Sequence, residues 1–244
     1  MTQENFKTTC LKGAVLGQIA LLLEALAAFG LTAVMYRALL RLAKIDPTVL
    51  AIAFYMVLLT VSQYAASKIT NYLGFLVPAG TMTYVATVAM LDIIVLREGF
   101  HYARNVVLAG FLSQWLITAV NYVVVYLPSP VAPNSIYEAV FSTSARVAFA
   151  SPIAYLAAET LDAYMVAKIG GAVWKRVIYS DPIAMAVDTL VFMPIAFWGV
   201  LPPPDFWSSV AGLLLTKISL APVVAGVVYL NRRYLLKAAY EKAS

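Results

Sequence analysis

The chain has 244 residues, 62% of them hydrophobic and 12% charged, with a formal net charge of +5 and a mean hydropathy of +0.84. A water-soluble domain carries roughly a quarter charged residues, so this composition excludes an ordinary soluble fold and leaves no room for an extramembrane catalytic domain. A single cysteine, Cys10, excludes an internal disulfide and a cysteine-cluster metal site, and a single histidine, His101, excludes a His-rich site.

A membrane-spanning helix needs about 20 largely apolar residues, and seven such segments follow one another. The first, 12–36, is too long for a signal-peptide core and continues into Tyr36-Arg37 without a cleavage site, so it reads as a retained helix. Asp46-Pro47 separates it from 48–70, and turn formers between Asn71 and Gly80 lead to 79–97. Glu98-Gly99 precedes 104–127, and Leu127 to Asn134 precedes 140–168. Gly170-Gly171 comes before 181–200, and the Pro202-Pro203-Pro204 run before 207–230. The expected fold class is all-α, a polytopic transmembrane helix bundle with about seven spans.

Basic residues set the orientation. Arg37, Arg41 and Lys44 follow the first segment, Arg97 and Arg104 flank the third and fourth, and Lys168, Lys175 and Arg176 lie between the fifth and sixth. Arg232, Arg233, Lys237 and Lys242 follow the seventh. All fall on alternate sides of the count, with Lys7 and Lys12 opposed. Cytoplasmic loops are enriched in Lys and Arg, so the expected topology is N-out and C-in.

Lys68, Arg146 and Lys217 lie inside or at the edge of apolar segments, as do Glu24, Asp92, Glu159, Asp162 and Asp188. A charge at mid-bilayer costs about 2.5–3.5 kcal/mol even on a lenient insertion scale. Two readings account for such a set: acids and bases that merely pair between helices, or a polar cavity for a solute or ion. The second is preferred. At about 1.5 Å per residue, Asp188 and Asp92 fall roughly 10 Å from the cytoplasmic face and Glu159 somewhat deeper. Lys217, mid-helix, is a counter-charge for one of these acids. Tyr84 shares a helix face with Val88 and Asp92, and Tyr155 sits one turn before Glu159. Gly13 and Gly17, and Ala150, Ala154 and Ala158, form small-residue faces suited to close helix packing. There is no phosphate-binding Gly-x-x-x-x-Gly-Lys-Ser/Thr loop and no Ser/His/Asp constellation. Movement of a solute is therefore favoured over its conversion.

From about residue 50 to 230 the polar residues follow an ordered pattern. Gln63, Ala66 and Lys68 precede a Pro78-Ala79-Gly80 turn and Asp92, followed by Gly99, Ala103 and Arg104. A second block runs through Arg146, Ala150, Ser151, Ala154, Tyr155, Asp162 and Lys168, and a third through Trp174, Arg176, Ser180, Asp188, Thr189 and Phe192. In order and spacing the chain resembles the queuosine precursor transporter family, also called the vitamin uptake transporter family. Three positions depart from the family pattern: Glu159 stands where Gln is usual, as does Met185, and Leu96 replaces a glutamate, with Glu98 two positions on.

The resemblance implies a six-helix transporter core over 47–231, an extra N-terminal transmembrane helix within 1–46 and a cytoplasmic basic tail over 232–244. It implies import, across the plasma membrane, of a 7-deazapurine such as 7-cyano-7-deazaguanine or its aminomethyl relative, without a cofactor, metal or nucleic acid. Gln63, Lys68, Asp92, Arg146, Ser151, Tyr155, Glu159, Asp162, Asp188, Thr189 and Phe192 are the candidate substrate-binding residues. A guanine-like edge offers an N–H and an amino group side by side, which one carboxylate accepts as two parallel charge-assisted bonds. Glu159 or Asp188 suits that edge, Tyr155 or Phe192 a stacking role, and Arg146, Lys68 or Gln63 a donor to the ring carbonyl. The partners expected besides substrate and lipid bilayer are a second copy of the chain or energising subunits. The alternative reading is a substrate-binding membrane subunit of an ATP-driven uptake complex, docked through a small-residue face of helix 1 or 5. An embedded enzyme or a structural subunit is a third, less favoured for want of a catalytic set.

Overall fold

The computed structural model describes residues 23–43, 45–66, 68–72, 75–128, 133–135, 138 and 145–231. Among them are seven long helices: α1 (Leu23–Leu42), α2 (Pro47–Ala65), α3 (Thr81–Glu98), α4 (Phe100–Tyr126), α5 (Ala145–Lys168), α6 (Val173–Phe197) and α7 (Pro203–Leu230). Five of these, α1, α2, α4, α6 and α7, are long and apolar enough to cross a membrane. The two that fall short, α3 and α5, carry Asp92, Arg97 and Glu98, and Arg146, Glu159, Asp162 and Lys168, respectively. Asp92, Glu159 and Asp162 are buried inside the bundle, while Arg146 and Lys168, at the two ends of α5, are exposed. The chain is a multi-pass helical membrane protein.

α3 is the central helix, buried along almost its whole length from Thr81 to Val95. It packs against α2 on one side and α7 and α5 on others, and α6 lies along both α5 and α7. Ala150, Ala154 and Ala158 are buried within this packing, so the small-residue face of α5 is consumed inside the bundle and offers no docking surface. Gly13 and Gly17 of the corresponding face on helix 1 lie outside the described residues. Phe29 and Tyr36 of α1 belong to the same apolar core as α2 and α3, and α1 contains a π-helical stretch at Leu26–Leu31. Helix ends follow local chemistry. The Asp46 carboxylate accepts from the backbone N–H groups of Thr48 and Val49 at 2.8 and 3.1 Å with Pro47 in the first turn, the usual arrangement for an N-terminus. Gly99 at φ 84° takes a conformation that disfavours a Cβ, turning the chain directly from α3 into α4.

α1 runs to Leu42, so Arg37 and Arg41 lie within it and not after it, and three further details depart from the sequence expectation. The bundle is not purely helical: Ile69–Tyr72 (β1) and Phe75–Pro78 (β2) pair antiparallel, Ile69 opposite Pro78 and Tyr72 opposite Phe75. Isoleucine, tyrosine, phenylalanine and valine favour strands, and α2 ends at Ala65 rather than 70, which releases them. Lys68 is thereby outside any helix and exposed, its carbonyl accepting from the Ala79 N–H at 2.8 Å. Finally, α6 starts at Val173, eight residues before the expected 181, because Lys175 and Arg176 are accommodated in its first turn and Pro182 inside it. Prolines in spanning helices are tolerated where neighbours satisfy the freed groups. Asp188 is consequently about 22 Å from the start of α6, well inside the helix, not roughly 10 Å.

Candidate functional site

At the end of α2 near the β1–β2 hairpin, a partly open cavity runs into the middle of the bundle. α2 contributes Ser62 and Gln63, the start of α3 contributes Thr81 and Tyr84, and α4 contributes Gln114. Ser151 and Tyr155 line it from α5, Asp188 and Phe192 from α6, and Lys217 from α7. Gly80 is fully enclosed where the hairpin meets α2, in contact with the Ser62 carbonyl, so only a residue without Cβ lets α3 start there.

The cavity's polar floor is an ion pair. The Lys217 ammonium donates to the Asp188 carboxylate, and the Tyr84 hydroxyl donates to its other oxygen at 3.3 Å. Lys217 also lies 5.0 Å from the centre of the Tyr84 ring, a cation–π distance. Three helices therefore converge on one carboxylate. Above it, Gln63 donates to Thr118 on α4 at 3.1 Å, while its side-chain oxygen, also buried, has no donor. Tyr155 shares a hydrogen bond with Tyr55 on α2 and donates to the Val107 carbonyl at 3.3 Å, which orients its ring at the cavity wall.

A second set of acids lies deeper, toward the opposite end of the bundle. Asp92, Asp162 and Asp181, from α3, α5 and α6, each offer a carboxylate oxygen within 4.8 Å of the others. They are 0, 1 and 0% exposed. Each lies roughly 9–12 Å from its helix end at that side, whereas Tyr84 and Asp188 lie roughly 20 Å in. Glu159 stands between the two sets, 2% exposed, with one oxygen lacking a donor and the Tyr84 hydroxyl within hydrogen-bonding reach. Moving a carboxylate from water to a dry interior costs on the order of 20 kcal/mol in the idealised limit. Such a group does not stay ionised there without a compensating cation or proton.

Of the residues singled out from the sequence, Gln63, Ser151, Tyr155, Asp188 and Phe192 come together at the cavity. Asp92 and Asp162 join instead in the deeper set with Asp181, and Glu159 bridges the two, so the acids form two levels and not one layer. Thr189 is buried and donates to the Met185 carbonyl at 3.0 Å in its own helix. Lys68 and Arg146 are exposed and do not line the cavity. Arg146 donates to the carbonyls of Ile195 and Trp198 at 3.1 and 3.0 Å, at the end of α6. The sequence reading missed Gln114, Ser62 and Thr81, which carry no charge to mark them, and Asp181, which it placed at a helix boundary. Asp181 was detectable: with Asp188 it makes an i, i+7 pair, two turns apart on one helix face.

A family described as "Putative vitamin uptake transporter" matches residues 78–231, spanning β2's last residue through α7 and therefore both acid sets. The chain belongs to the vitamin uptake transporter family. Gln63 and Lys68 lie outside the matched residues. A "Probable queuosine precursor transporter" from Bacillus subtilis (strain 168) is similar to this vitamin uptake transporter family member, 27% identical over 148 residues. The match covers 57% of this chain and 64% of the relative, just under two thirds of the relative's length. No solved structure matches the chain.

Proposed function

We propose that this family member is a transporter that imports a queuosine precursor, a 7-deazapurine such as 7-cyano-7-deazaguanine, across the plasma membrane. The observation that carries the reading is a cavity at mid-bundle that combines amides, aromatic rings and one buried ion pair. Flat heteroaromatic ligands need such a lining: ring faces for stacking, with a few placed polar groups to set orientation. Asp188 accepts the N–H and amino group of the guanine-like edge, exchanging part of its hold on Lys217 and Tyr84 for the ligand. The Gln63 and Gln114 amides meet the remaining edges, and Phe192, Tyr84 and Tyr155 supply ring faces. Glu159, behind Tyr84, tunes that donor and does not contact the ligand. Membership of a transporter family and the printed name of the Bacillus relative support the same substrate class.

The topology that accompanies this proposal has seven spans, N-out and C-in. The distribution of Lys and Arg supports it, and so does the burial of the carboxylates that interrupt α3 and α5. The cavity mouth, beside the hairpin, then faces outside, as uptake requires. Cysteine accessibility tests this: in a Cys10→Ser background, a membrane-impermeant thiol reagent labels Asp205→Cys in intact cells but Lys175→Cys only after lysis.

The function itself is tested by uptake of labelled precursor in cells unable to synthesise it. Expression of the chain in the membrane restores uptake, and Asp188→Asn and Glu159→Ala abolish it. Normal expression without uptake sinks the proposal. Transport by the purified chain alone in liposomes separates it from the reading as a subunit of an ATP-driven complex.

A further inference from the structure

We propose that Asp92, Asp162 and Asp181 form a binding site for one hard, oxygen-seeking metal cation inside the bundle. Asp162 and Asp181 approach each other from α5 and α6, and Asp92 reaches them from α3. Both oxygens of Asp92, both of Asp162 and one of Asp181 are buried without a close donor, while Asp92 and Asp162 stand within hydrogen-bonding reach of each other and the Ser180 hydroxyl within reach of Asp162. The remaining Asp181 oxygen accepts from the Ser180 hydroxyl at 3.2 Å. Among the described residues, no Lys, Arg or His pairs with any of the three. Lys217, the one buried lysine among the described residues, is committed to Asp188 at the other level.

Oxygens of Asp92, Asp162 and Asp181 that all lie within 4.8 Å of one another are close enough to share one ion, since two ligand atoms on one ion stand at most twice the metal–oxygen distance apart. Three carboxylates favour a divalent ion, and all-oxygen donors favour a hard one. Independently of these three, Glu159, one turn before Asp162, is a 2% exposed carboxyl with an unpartnered oxygen. It lies within electrostatic reach of the three aspartates. A cation at the aspartates is thus felt at Glu159 and, through Tyr84, at the cavity. Assigning it a part in transport rests on the proposed function; its binding does not.

The test uses the full chain purified in detergent, stripped with chelator and exchanged into choline chloride. Equilibrium dialysis and thermal unfolding are followed while CaCl2, MgCl2, MnCl2 or NaCl is added at constant ionic strength. The expected result is saturable binding of about one ion per chain, a rise in unfolding temperature, and a tenfold or greater loss of affinity in Asp92→Asn and Asp162→Asn. Ser180→Ala, which leaves all three carboxylates, keeps binding within threefold. Should the Asn variants not fold, the wild-type carboxylate infrared band decides, since coordination shifts it on metal addition. Absence of saturable binding with all four salts, or binding unchanged in both Asn variants, overturns the site and leaves the aspartates neutralised by protons alone. No precursor is present in these measurements, so their failure is distinct from a failure to transport.

Discussion

Lys217 on α7 reaches across to Asp188 on α6 and closes an ion pair whose side chains are 5 and 10% exposed. Removing one member of such a pair leaves the other as an uncompensated buried charge, which costs about 3–5 kcal/mol. Lys217→Met and Asp188→Asn are each expected to lower the unfolding temperature strongly. The double variant, with neither charge present, recovers most of the loss, a coupling that a double-mutant cycle measures directly. Precursor binding is not expected to recover with it, because Asp188 is the proposed acceptor for the ligand edge. Recovery of both stability and binding would show that the pair is structural only.

Gln63 is held by its donation to Thr118 while its oxygen remains without a donor. A ligand N–H that reaches this oxygen gains a hydrogen bond worth about 0.5–1.5 kcal/mol. Gln63→Leu is expected to weaken precursor binding about threefold to tenfold, with little change in unfolding temperature. Isothermal titration checks the affinity, and thermal unfolding of the same preparation checks the stability.

The helices were legible because hydropathy and turn residues report the same boundaries, even for α3 and α5, whose acids depress their apolarity. What stayed hidden has physical causes. Ile69 to Pro78 makes four-residue strands, too short for a period-two pattern to stand out among turn formers. Lys175, Arg176 and Asp181-Pro182 resemble a helix boundary, yet α6 runs through them, and that shift moved Asp188 to mid-bundle. Lys217 was legible as a counter-charge, but its choice of Asp188 over Asp92 depends on how α6 and α7 rotate about their axes. The depth of a residue can be counted along a helix; the direction it faces across a bundle of seven requires the packing itself.

Glycines provide a sharp contrast in packing. A Cβ on Gly80 would meet the backbone of Ser62 and Ala66, which cannot rotate away, whereas one on Gly226 meets nothing within 4 Å. Overpacking costs about 1–3 kcal/mol, and Gly→Ala in an open helix position gains up to about 1 kcal/mol. Gly80→Ala is therefore expected to lower the unfolding temperature and impair uptake by displacing the hairpin at the cavity mouth. Gly226→Ala leaves uptake unchanged and raises the unfolding temperature slightly. Equal behaviour of the two variants would contradict the tight approach of α2 and the hairpin.

Arg146 belongs to the recurring family pattern, yet its guanidinium is spent on the carbonyls of Ile195 and Trp198. The last carbonyls of a helix have no partner within it, and a cation there also complements the negative end of the helix. This arrangement holds the end of α6 against the start of α5, one turn beyond Phe192 at the cavity wall. Arg146→Gln is expected to lose about 0.5–1.5 kcal/mol of stability, the range for a partly exposed hydrogen-bonding group, and to leave precursor affinity within about twofold, a change below 0.5 kcal/mol. Arg146→Lys, still cationic but without the forked donor geometry, recovers part of the stability. Thermal unfolding together with a binding titration on the same preparations distinguishes the cases. A loss of affinity tenfold or more with unchanged unfolding would instead make Arg146 a direct ligand contact.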